Sequence, residues 1–104
     1  MHLIFTPMRH DLRLTLSRQG DVLTINGEEF DFTALPEGAT LPGDAIRSDW
    51  IAGEVSRKEG RLHIPLILPH GANAPGTTRH PAPITLNDDG PVDLPAYDTE
   101  EPRP

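Results

Sequence analysis

Five histidines, His2, His10, His63, His70 and His80, are the side chains of this 104-residue chain best suited to hold a metal or move a proton near neutral pH. A zinc site needs three or four converging ligands, each oriented by a further partner. No H-x-H, H-E-x-x-H or H-x(3–5)-H spacing is present. His70 and His80 share one loop-like stretch, and with His63 they define a metal-dependent reading. The plainer reading makes all five exposed strand and loop polars. Nucleophilic chemistry has less to work with. There is no cysteine and no G-x-S-x-G, and Ser17, Ser48 and Ser56 fall at polar-face or loop positions. Glu28-Glu29 and Asp88-Asp89 are sequence neighbours. In a strand such neighbours point to opposite faces, and in a turn they are solvated. Neither arrangement makes the desolvated carboxylate pair that acid–base work needs. Phosphate cradles of the Walker or G-x-G-x-x-G type are absent. The chain is therefore expected not to be an enzyme and to use no cofactor and no metal.

The elements that position these residues are β-strands. In GDVLTINGEEFDF, Gly20 to Phe32, two alternating runs flank Asn26-Gly27, a strong hairpin signal. With those two residues as a type I′ turn, Ile25 opposes Glu28 and Leu23 opposes Phe30. One face then carries Leu23, Ile25, Phe30 and Phe32, and the other Val22, Thr24, Glu29 and Asp31. Asp11 to Arg18 also alternates, with Leu12, Leu14 and Leu16 on one side. A turn at Gln19-Gly20 places Leu16 against Leu23 and Leu14 against Ile25, making a three-stranded meander over about 11–32.

A second hairpin is expected over about 50–68, turning at Glu59-Gly60. It sets Val55 against Ile64, Gly53 against Leu66 and Ile51 against Leu68. Pro65 inside this run argues for an edge strand or a bulge, and Gly53 for close packing. His2–Thr6 is a further candidate strand, with Pro7 suited to a strand end or edge. Thr33–Asp49 is expected to be loop, with one helical turn at Gly43–Ser48 that places Ala45 and Ile46 inward. Pro69–Pro83 reads as a long proline-rich loop, Ile84–Leu86 as a last short strand, and Asn87–Gly90 as a turn. Eight of the twelve prolines lie from Pro69 onward, which excludes long helices there.

The Leu/Phe face of the meander and the Val/Ile/Leu face of the second hairpin must bury each other. The expected fold is all-β: a small antiparallel sandwich or partly open barrel with long Pro-rich loops. Residues 1–95 form a single domain, and 96–104 an acidic, Pro-containing, flexible tail. Residues 1–80 hold ten Asp/Glu against eight Lys/Arg, and residues 81–104 hold six against one, giving the net −7. No basic patch is available for phosphates, so no nucleic-acid partner is expected. MHLIFTPMRH lacks the pattern of a signal peptide and no run is long enough for a span, so no membrane association is expected.

Trp50, Ala52 and Ile67 cluster at one end of the polar face of the second hairpin. Trp50 and Ile67, with His70 and His80 from the loop, are the candidate interaction surface. Small open sheets also leave unpaired strand edges. Long loops within the chain can cover them, or other proteins or a second copy can do so. Two functional classes follow: a structural or interaction module, and a small-ligand or carbohydrate-binding β module lined by Trp50 and the His70/His80 loop.

The strings GDVLTINGEEFDFTALPEGATLP (20–42) and LILPHGANAP (66–75) resemble those of short proteins encoded in prophage tail-gene regions of bacteria. That resemblance spans most of residues 10–95. It implies a phage tail-associated virion component or assembly factor, located in the bacterial host cytoplasm or on the virion. It carries no catalytic residues.

Overall fold

The computed structural model describes residues 1–46, 48–72, 74, 76–79 and 81–94. Strand β1 (His2–Arg9) leads into the meander β2 (Leu16–Gln19), β3 (Val22–Ile25) and β4 (Glu28–Asp31). Then come β5 (Thr40–Leu41), a 3₁₀ turn at Gly43–Ala45, β6 (Val55–Lys58) and β7 (Arg61–His70). A short helix, α1 (Gly76–Arg79), and the two-residue strands β8 (Ile84–Thr85) and β9 (Gly90–Pro91) follow. One sheet has the order β5-β6-β7-β1-β8 and the other β4-β3-β2-β9. They form an all-β sandwich whose sheets are dominated by antiparallel pairing and are not closed into a barrel. The proposed tail, 96–104, lies outside the described residues.

Local chemistry accounts for both hairpins. Asn26 and Gly27 have φ of 49° and 84°, the double left-handed geometry of a type I′ turn. Ile25 opposes Glu28 and Leu23 opposes Phe30, as the alternation requires. Glu59 and Gly60 repeat the geometry at 53° and 74°. The Glu37 carboxylate clasps this second turn, accepting from Gly60 N at 2.6 Å.

The β2–β3 turn is at Gly20-Asp21, not Gln19-Gly20. Gly20 (φ 59°) takes the left-handed first position of a II′ turn, where glycine is favoured. Leu16 therefore opposes Ile25, and not Leu23. The parity is unchanged, so Leu16, Leu23, Ile25 and Phe32 still converge and are buried. The strand does not reach back to Asp11. Leu14 packs half-buried on the core and Leu12 is 59% exposed. His10 N donates to His70 O and His10 Nδ1 accepts from Leu12 N. The chain bends there to cross from one sheet to the other.

Strand β1 pairs in parallel with β7, from His2↔His63 to Arg9↔His70. Parallel strands need a crossover; here the whole meander, β5 and β6 lie between the partners. Leu3 and Phe5 of β1 and Leu62, Ile64, Leu66 and Leu68 of β7 point inward and are buried. Each such side chain contributes about 1.5–3 kcal/mol of transfer free energy.

Pro65 sits in this central strand and not at an edge, and it is accommodated by a bulge. The register Ser56↔His63 gives way to Ile51↔Leu66, so 52–54 swing out opposite Pro65. Pro65 O accepts from Ala52 N at 2.9 Å, and its missing N–H faces the same interrupted ladder. The expected Ile51–Leu68 pair is thereby displaced. Gly53 sits under Gly43, where a Cβ would lie 2.9 Å from Gly53 O. The 3₁₀ turn at Gly43–Ala45 is shorter than expected, with Ala45 exposed and Ile46 half-buried. In β1, Met1 N and O both bond Leu86, so odd residues present their backbone groups away from β7. Pro7 therefore removes a donor from the stretch beyond the reach of β8, where none is needed.

Two arginines tie the sheets together. Arg57 of β6 pairs across from buried Leu62 and points inward. Its guanidinium donates to Leu35 O at 2.7 Å and Phe32 O at 3.0 Å, and pairs with Asp21 at 3.1 Å. From the other sheet, Arg18 donates to Leu86 O at 3.2 Å, where the chain crosses from β8 to β9. Asp89 Oδ1 fixes the same crossing by accepting from Gly20 N.

Candidate functional site: the outer face of the β1–β7 seam

Side chains alternate across a strand, so the register assigns one row to the outer face. His2 stands beside His63, Ile4 beside Pro65, Thr6 beside Ile67 and Met8 beside Pro69. Ile4 and Met8 are 42% and 45% exposed, and Ile67 and Pro65 are half-buried. At one end, Trp50 meets His10 edge to face, with ring centroids 5.3 Å apart. Trp50 O is anchored by Ile67 N at 2.7 Å. The result is an apolar strip ending in an aromatic pair.

The opposite end is cationic. His2 and His63 pack edge to face at 5.3 Å, and His2 Nδ1 bonds Thr85 Oγ1 at 3.0 Å. Lys58, Glu59 and Arg61 join His63 around a small depression. Desolvation, then the positive fields of His2, Lys58 and Arg61, hold the His63 pKa below its ordinary value. A histidine whose folded pKa is lowered binds fewer protons in the folded state than in the unfolded one. Its contribution to stability is thus complete above the unfolded pKa of about 6.5 and is lost as pH falls through it to the folded pKa. NMR titration is expected to show His63 titrating below the ordinary histidine value. The His2→Gln change should move the His63 midpoint upward, and an unmoved midpoint would remove His2 from the causes.

Trp50 and Ile67, taken together from the sequence, do share this face. His70 has the opposite parity and falls on the other side of the strand end. Its Nδ1 contacts Gly71 O at 2.9 Å. His80 lies outside the described residues. His63 and His70 stand at opposite ends of β7, about 23 Å apart at strand rise, so they cannot share an ion. Among the described residues no three His, Cys, Asp or Glu side chains are grouped to hold a metal. Trp50, moreover, does not line the groove of about 390 Å³ formed by Leu14, Leu16, Leu68, Val92 and Leu94 with Arg13 and Asp93.

Sequence reasoning missed Ile4, Met8 and His10. A signal was present: HLIFTPM carries apolar residues at both parities, the pattern of a parallel strand covered on both faces. Among the described residues, no helix is long and apolar enough to cross a membrane. No family model, curated protein or solved structure matches the chain.

Proposed function

We propose that this protein is a non-enzymatic interaction module that docks on a partner protein through the outer face of the β1–β7 seam. The observation that carries this reading is the exposure of Ile4 and Met8 beside Ile67 and Trp50, at the centre of the five-stranded sheet. A central parallel pair ordinarily has both faces covered. Contiguous exposed apolar surface on a small domain marks a contact site. The resemblance of the strings 20–42 and 66–75 to prophage tail-region proteins directs the choice of partner to phage tail and assembly proteins. In this chain those strings include the Asn26-Gly27 turn, strand β5 and the C-terminal half of β7, which carries Ile67 of the docking face.

Size-exclusion chromatography with light scattering, on the protein alone and with candidate phage tail proteins, tests this directly. A complex is expected, and the Ile4→Lys/Met8→Lys double variant is expected to lose it. Both sites are exposed, so each change should alter folding stability by no more than about 0.5 kcal/mol. A strict monomer that binds none of these proteins, or a double variant that binds unchanged, overturns the proposal.

A further inference from the structure

The two seams of the sandwich differ. On one side the chain itself crosses between the sheets, where Leu86 O accepts from Met1 and Arg18 and Asp89 holds Gly20. On the other side the outermost strands are β4 of one sheet and β5 of the other, and among the described residues neither has an outer neighbour. A trough of about 300 Å³ lies between them, lined by Phe30, Phe32, Leu41 and Ile46 with acidic residues from β4. A second depression of about 230 Å³ shares Asp31, Phe32 and Leu41 and extends the trough toward Leu35.

The backbone of β4 is ready to pair. Glu28 and Phe30 oppose β3, and Phe32 N donates to Asp21 O at 3.0 Å. Alternation turns the N–H and C=O groups of Glu29 and Asp31 the other way, toward the open side. Alternation along the strand sets their side chains on the face opposite Phe30 and Phe32. Asp31 is held ionised by hydrogen bonds from Thr33, which lower its pKa.

We propose that this seam accepts an extended segment of a basic partner protein as an added strand of the β4 sheet. Its side chains would alternate, apolar into the trough and Lys or Arg against Glu29 and Asp31. Strand addition of this kind draws affinity from main-chain bonds and specificity from alternate side chains. An acidic edge also discourages two copies from pairing, since like charges opposed across strands are destabilising. That protective role needs no apolar trough beside the edge, and here the trough runs along it. The site is separate from the outer face of the β1–β7 seam.

The test is a seven-residue peptide alternating Lys with Val or Leu, titrated against the intact protein. Fluorescence polarisation reads affinity, and amide exchange by NMR reads the pairing. Binding is expected, with slowed exchange at Glu29 and Asp31. Affinity is expected to fall about tenfold or more when the bonding peptide nitrogens are methylated, and similarly for Glu29→Lys. The Ile4→Lys/Met8→Lys variant should bind the peptide normally, which separates this proposal from the docking face. The inference is overturned by absence of binding, by equal binding of a Glu-for-Lys or a non-alternating peptide, by indifference to methylation, or by unchanged exchange at Glu29 and Asp31. Self-association of the protein through this edge would equally overturn it.

Discussion

Replacing Arg57 by methionine is expected to lower the unfolding free energy by about 2–4 kcal/mol. The guanidinium is only 14% exposed and serves Leu35 O, Phe32 O and the Asp21 carboxylate together. Methionine keeps much of the stem volume and leaves all three acceptors without this donor. The loss is expected to come mostly from the carbonyls rather than from the ion pair. Asp21 is 36% exposed, so water can replace the guanidinium there, and pairs of this exposure are worth about 0–1 kcal/mol. Asp21→Ala should therefore cost about 1 kcal/mol or less. It retains the backbone bond from Phe32 N to Asp21 O. Arg57→Lys should recover only part of the loss, because an ammonium lacks the planar fork that reaches separate acceptors. Urea unfolding of the three variants checks this. Equal losses for Arg57→Met and Asp21→Ala would show that the ion pair dominates, contrary to the expectation.

A second large effect is expected at Leu66, where truncation to alanine should cost about 2–5 kcal/mol. Leu66 is fully buried, pairs with Phe5 across the parallel seam and is bridged by Ile51 from the other side. Neighbours held by two ladders cannot collapse readily into the space left behind, and a residual cavity raises the cost. Ile4→Ala removes a similar volume on the opposite face of the same seam and should change stability by about 0.5 kcal/mol or less. Leu12→Ala should be equally mild, although Leu12 continues the alternating leucine pattern, because its side chain is mostly in water. Denaturant midpoints for the three variants decide the matter. Comparable losses at Leu66 and Ile4 would mean that the outer face is covered and would remove the basis of the docking proposal.

The contrast between Leu12 and Leu66 also marks how far a local pattern reaches. Alternation reports which side a residue takes if its segment is a strand. It does not report whether the segment has a partner. Leu16, Leu23 and Ile25 have neighbours a two-residue turn away, so their faces were legible. Leu12 has no strand opposite it among the described residues. The same limit governs the candidate surface. Trp50 and Ile67 belong to one hairpin and were found together. Ile4, Met8 and His10 join them only because β1 lies beside β7, and no turn residue encodes that pairing.

By itself the sequence determined the hairpins, their parity and an all-β fold, leaving a sandwich or a partly open barrel as its form. These depend on φ > 0 at Asn26-Gly27 and Glu59-Gly60 and on a side-chain period of two, both properties of a few adjacent residues. Tertiary structure alone decided the parallel seam, the carbonyls that Arg57 and Arg18 reach, the choice of a bulge over an edge at Pro65 and the open trough beside β4. Each of these is a contact between segments far apart in the chain, chosen by which apolar faces and backbone donors remained unsatisfied once the hairpins had formed.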